Sequence, residues 1–197
     1  MEYIRAAADK GHRIYIRTSS AIQLYCEVDA SYLIHSYFRG HTGYTMGLHP
    51  NGTFYNRSAK QTLVSTSSTH AEMRALYTLV KDKLFIIYIF SAVNIPLLLP
   101  AVIMEDNSAV VTVSNEESAY LKKCKHFIMV VNYVREQLEH RLIQVLKIKG
   151  ELNNADLLTK KLIMDKSFAT KTDNILGSPA RLDTSDSEAE ADTEDEY

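Results

Sequence analysis

The chain has 197 residues, 22 of them basic and 24 acidic, which is enough for one domain with a proper core. Its net charge of −2 hides an uneven spread: eight acids and no base follow Arg181, and the remainder carries +6. A basic body with an acidic extension suits a polyanion-binding domain followed by a solvated tail. Cys26 and Cys124 lie far apart and match no metal spacing, so they read as reduced thiols of an intracellular protein, cytoplasmic or nuclear. The opening Met1 to Arg5 lacks the apolar core of a signal peptide.

In chain order, Met1 to Gly11 reads as a short helix and Ile14 to Arg17 as a short strand. Gln23 to Asp29 alternates, with Leu24, Cys26 and Val28 on one face. Gly43 to His49 and Thr53 to Asn56 flank the turn signal Pro50-Asn51-Gly52, which predicts a hairpin. The Ser/Thr-rich run Thr62 to Thr69 leads into a helix, and Thr69 to Glu72 fits a capping box. Leu84 to Met104 carries no charge, but Asn94, Pro96 and Pro100 interrupt it. It reads as a buried helix end, a Pro-bounded loop and a buried strand rather than a membrane span. That strand, Ala101 to Glu105, ends at Asp106.

Ser118 opens a long helix to about His140, with Cys124, Phe127, Ile128, Val131, Val134 and Leu138 on one face. Ile143 to Lys149 is the last strand, and Asn153 or Asn154 caps a short helix, Ala155 to Leu162. From Asp165 periodicity fades and disorder is expected. The order predicts an α/β domain, a mixed sheet with helices packed on it. Residues 1–20 form a connecting segment, 21–164 the domain and 165–197 an acidic tail.

Four acids fall where rigid elements end or begin. Asp29 closes the first long strand, Asp106 the strand after the first main helix, and Glu72 and Asp156 lie in first turns of helices. Hard carboxylate oxygens gathered at one point suit magnesium, and two ions about 4 Å apart can stabilise both the attacking and the leaving oxygen of a phosphodiester. Each acid also has a plain structural reading. Glu72 can complete the capping box, Asp156 can complement a helix dipole, and Asp29 and Asp106 can be turn residues.

The words around these acids carry a resemblance. Lys60-Gln61-Thr62 through Ser67-Ser68-Thr69-His70-Ala71-Glu72 resembles the "SKKQ…SSTEAEY" segment of copia-type retrotransposon polyproteins. Glu105 to Ala109 resembles "CDNQSA", Lys125-His126-Phe127 with Tyr133 to Glu136 resembles "TKHIDVRYHFVRE", and Ala155 to Lys160 resembles "ADIFTK". Val28-Asp29-Ala30 stands at "SDADWAG", Thr42-Gly43-Tyr44 at "STSGY", and Tyr3 to Tyr15 at the link from the reverse transcriptase connection. The likeness runs in order from Tyr3 to Leu162, although the chain lacks the tryptophans usual there and His70 replaces a Glu.

The resemblance implies a ribonuclease H-like fold with a mixed five-stranded sheet. It implies two magnesium ions, or manganese, held by Asp29, Glu72, Asp106 and Asp156, and hydrolysis of the RNA strand of an RNA–DNA hybrid. The implied partners are the hybrid and the reverse transcriptase part of the same polyprotein, with virus-like particles as one setting. Lys60, Lys122, Lys123, Lys125 and Arg135 are candidate phosphate contacts, and His126 either positions a helix or touches phosphate. Asn107 either orients the acids or caps the next turn. The alternative function is a non-catalytic or domesticated remnant that binds nucleic acid or protein.

Overall fold

A computed structural model describes residues 12–14, 21–115, 127–160 and 166–177. Strand β1 (Ile22–Ser31) alternates as its pattern predicts, burying Leu24, Cys26, Val28 and Ala30 on one face. The hairpin forms but is longer than expected, joining β2 (Arg39–Gly47) to β3 (Thr53–Val64). Gly52 supplies the positive φ of 80° that its turn requires. The Ser/Thr-rich run therefore begins inside a strand, and only its second half leads into helix α1 (Ser68–Ala92).

The cap of α1 is Ser67, not Thr69. Ser67 is extended and its hydroxyl accepts from the His70 N–H at 3.1 Å. The expected capping box is thus replaced, and the Glu72 side chain is free for other use. From Met73 to Ile87 one side of α1 is buried against the sheet. Beyond Ile87 no residue of the helix is buried, and Phe85, Tyr88, Val93, Leu98 and Leu99 are exposed. The uncharged stretch is thus less buried than its composition suggests. Among the described residues no helix is long and apolar enough to cross a membrane.

Strand β4 (Leu97–Glu105) starts before the expected Ala101 and includes the cis-proline Pro100. Its register with β1 shifts where Gln23 faces Leu98 and Tyr25 faces Val102. A proline cannot donate to the ladder, so the irregularity falls beside it. Helices α2 (Ser108–Asn115) and α3 (Ile128–Glu139) and strand β5 (Ile143–Lys147) follow. Phe127 has non-helical dihedrals, so α3 opens at Ile128. Helix α4 (Asp156–Thr159) is shorter than expected, and residues 166–176, expected to be disordered, form α5 (Lys166–Leu176) with Phe168, Lys171 and Thr172 buried.

The sheet order is β3-β2-β1-β4-β5. β1 and β2, and β2 and β3, pair antiparallel, while β4 runs parallel to both β1 and β5. Helices cover both faces. Tyr44 of β2 bonds Asp82 of α1, whereas its neighbour Gly43 faces α4. The N-terminal helix, most of the Ile14–Arg17 strand, the first half of the helix expected from Ser118, Cys124 and the acidic tail lie outside the described residues.

Candidate metal centre

Strands β1 and β4 are adjacent and parallel, with Val28 opposite Glu105. Asp29 and Asp106 therefore stand side by side where the two strands end. Glu72 reaches the same point from the start of α1. One oxygen from each of Asp29, Glu72 and Asp106 can be chosen so that all lie within 4.8 Å of one another. Asp156, the first residue of α4, lies outside that set and is joined to it by Lys160. The Lys160 ammonium is 3.1 Å from Asp29 Oδ1 and closer still to Asp156 Oδ1.

Local packing fixes each acid. The Thr159 hydroxyl donates to Asp29 Oδ2. Lys171, only 3% exposed, donates to Asp156 Oδ2 at 2.6 Å and to the carbonyls of Asn153 and Gly150 at 2.8 and 3.1 Å. Asn153 ties this corner to β1 through the Val28 carbonyl at 2.8 Å, and the Glu27 carboxylate accepts from the Asn154 backbone and side chain at 2.8 and 2.9 Å. Gly43 makes the close approach of α4 possible, since a Cβ there would lie 2.5 Å from Thr159 Cγ2 and 2.8 Å from Leu158 Cβ. Asn107 settles into the capping role: its Oδ1 accepts from the N–H groups of Ala109 and Val110, and its own N–H donates to Glu105 Oε1.

The site is overloaded with negative charge. Burial, then the neighbouring carboxylates of Glu105, Asp29 and Asp106, push the Glu72 carboxyl well above its ordinary range. Burial likewise raises Asp29 and Glu105. Burial alone would depress the Lys160 ammonium, but its hydrogen bond to Asp156 and the charge of Asp29 hold it above its usual value. Glu72 Oε2 and Glu105 Oε2 are buried with no hydrogen-bond partner. A buried carboxylate oxygen without a donor is costly, and a hard divalent cation is the partner that such a set of oxygens fits.

Glu105, Lys160, Thr159 and Lys171 were not legible as parts of this site. Glu105 stands where the resembled word has Cys, and its adjacency to Asp106 was the one available signal. Lys171 sits in the segment expected to be disordered.

Of the candidate phosphate contacts, Lys60 is exposed on β3 opposite His41. Arg135 ties α3 to α2 through the Val113 carbonyl at 2.9 Å. Arg135 also lines an open groove of about 1210 Å³ between α1, α3 and β3, together with Arg57, Arg74, Tyr77, Lys81 and Tyr133. Lys122, Lys123, Lys125 and His126 lie outside the described residues.

No protein-family model matches the chain. Its architecture is similar to that of LC11-RNase H1, isolated from compost by a metagenomic approach, with a TM-score of 0.52 and 16% identity over 70% of this chain and 92% of that one. The RNase H domain of prototype foamy virus gives a TM-score of 0.50 and 18% identity over 71% of this chain and 93% of that domain. The fold is that of ribonuclease H. In this ribonuclease H fold the acid cluster lies at the carboxyl ends of β1 and β4, where open α/β sheets bind their ligands.

Proposed function

We propose that this chain is a retrotransposon-derived ribonuclease H of the copia type, which hydrolyses the RNA strand of an RNA–DNA hybrid with bound magnesium. The observation that carries the reading is the convergence of Asp29, Glu72 and Asp106 within 4.8 Å in a ribonuclease H fold. Those three carboxylates, with Asp156 beside them, would hold the ions. Magnesium or manganese bound there supplies Lewis-acid polarisation of the phosphoryl oxygens and lowers the pKa of water.

The protein's own residues supply orientation and exclusion. Thr159 and Lys171 each bond one oxygen of Asp29 and Asp156 respectively, which orients both acids before substrate arrives. Asn107 fixes the start of α2 next to Asp106. The choice of an RNA–DNA hybrid as substrate rests on the ordered sequence words shared with copia-type polyproteins. The shape and 2′-hydroxyls of the hybrid would select the RNA strand. The groove lined by Arg57, Arg74, Lys81 and Arg135, with Glu136 and Glu139 at the same wall, keeps a net positive lining that suits the phosphate backbone. In the parent polyprotein the reverse transcriptase part would deliver the hybrid.

The test is cleavage of a labelled hybrid in magnesium by the wild type and by Asp106→Asn. Cutting of the RNA strand by the wild type, reduced roughly 10²-fold or more in the variant, is expected for the loss of one preorganised charge at the reacting phosphate. Equal cutting by both, or none by the wild type, would refute the assignment. Hybrid binding in calcium without cutting in magnesium would leave the non-catalytic binding module as the function.

A further inference from the structure

We infer that Lys160 is a built-in cation that occupies a seat between Asp29 and Asp156, so that a second divalent ion enters this centre only by displacing the lysine. The inference rests on the metal-binding reading above and deepens it.

The division of oxygens carries the argument. Each of these two acids has one oxygen bonded to a protein donor on its far side: Asp29 Oδ2 accepts from Thr159, and Asp156 Oδ2 from Lys171 at 2.6 Å. The remaining oxygen of each, Oδ1, contacts the same atom, the Lys160 ammonium. Two carboxylate oxygens converging on one positive charge make a cation seat, and without that charge they repel. Lys160 follows Asp156 by one helical turn, and its N–H bonds the Asp156 carbonyl, which fixes where its stem begins.

The two lysines differ in freedom. The Lys171 side chain is 4% exposed and bonded to two carbonyls as well as to Asp156, so it is a fixed part of the wall. The Lys160 side chain is 44% exposed, and its stem can swing into solvent without opening the core. The other seat is different in kind: among Asp29, Glu72 and Asp106, Glu72 Oε2 is buried with no protein donor. One seat therefore needs an ion and the other already holds a cation. The first ion shares Asp29 alone with Lys160, whereas the second needs both oxygens that the lysine holds and binds only by displacing it.

The test is manganese binding to the full-length chain, read by electron paramagnetic resonance of free Mn2+ and by calorimetry, in the wild type, Lys160→Met and Lys160→Arg. Folding of each variant is checked by circular dichroism, and Arg13→Met, at an exposed position given no part in the site or the groove, serves as a charge-loss control. The wild type is expected to bind one Mn2+ tightly and a second weakly. In Lys160→Met the second site should tighten about tenfold or more, as expected when a competing charge leaves a partly buried site, whereas Lys160→Arg and Arg13→Met should not tighten it. Two equally tight ions in the wild type, or an unchanged second site in folded Lys160→Met, would overturn the inference while hybrid cleavage leaves the ribonuclease reading intact. No ion bound to the wild type would overturn both.

Discussion

Glu72 is strained electrostatically in the absence of metal. Its Oε2 has no donor, and three carboxylates surround it. Glu72→Gln removes the charge at constant shape and offers an amide donor to its neighbours. In EDTA this variant is expected to be more stable than the wild type by about 1 kcal/mol, the usual gain when a crowded functional charge is neutralised. In magnesium the order should reverse, because the variant loses an ion ligand. Urea unfolding in the two buffers reads both signs. Gly43 is the second sensitive residue. A methyl group there would collide with Thr159 and Leu158, which cannot retreat without moving Asp156 and the Thr159 bond to Asp29. Gly43→Ala should cost roughly 1–3 kcal/mol of stability by overpacking, and metal affinity should fall with it. The meeting of Asp29, Glu72 and Asp106 was legible because each sits in a distinctive word at the edge of a rigid element, while Asp156 stands apart from them across Lys160. Their supports were not. Ser67 and Thr69 are both good capping residues, and only the extended backbone at Ser67 decides between them.

At the scale of the element, α1 carries a feature that no periodicity reveals. Lys83 lies on its buried side, fully enclosed, with its ammonium 2.7 Å from the Val102 carbonyl and bonded to the Cys26 thiol. Burial pushes it down to about 8, from an ordinary 10.5. The unfolded chain therefore holds this proton over a pH range where the folded chain has released it. Stability must rise with pH between about 8 and 10.5 from this group, and below 8 the enclosed charge costs about 3 kcal/mol. Lys83→Met should stabilise the protein at pH 7 by about 2 kcal/mol, since about 1 kcal/mol is returned by the lost bond to Val102. Unfolding at pH 7 and pH 10 checks it: the gain should shrink at the higher pH. Helix α5 was missed for a related reason. It docks through Lys171 and Thr172 as much as through Phe168, so it has no apolar stripe to read. The uncharged stretch misled in the opposite sense, because a hydrophobic stripe reports which way a helix faces but not how far the layer beneath it extends.

At the scale of the molecule, the mixed sheet followed from the order of strands and helices, and the adjacency of β1 and β4 is what brings Asp29 and Asp106 together. Side-chain networks such as Glu27–Asn154–Asn174 join residues too distant in sequence for any local pattern to show. These buried charges together dictate the pH profile. Burial lifts Glu27 from 4.5 to about 7, and Asp29, Glu72 and Glu105 are raised as well. A carboxyl raised by folding binds its proton more tightly in the folded state, so its stabilisation is present at low pH and is lost as pH rises through the folded value. For Glu27 that window runs from about 4.5 to 7, and for Lys83 the opposite trend runs from about 8 to 10.5. The metal-free protein should therefore lose stability as pH rises from about 4.5, because the raised Glu72 and Glu105 carry the loss beyond the Glu27 window and Lys83 opposes it only above about 8. If the acid cluster holds magnesium as proposed, the ion acts against this loss by replacing protons as the partner of the carboxylates. An ion present at about 100 times its dissociation constant adds about 2.7 kcal/mol. For a chain of this size that is a rise of roughly 5–10 °C in Tm. Thermal unfolding across pH 5 to 10, with EDTA and with magnesium, is the measurement. Metal-free stability that rises with pH between 5 and 8, or a magnesium shift no larger at pH 7.5 than at pH 5, would mean that these carboxyls do not form the coupled, ion-seeking cluster described above.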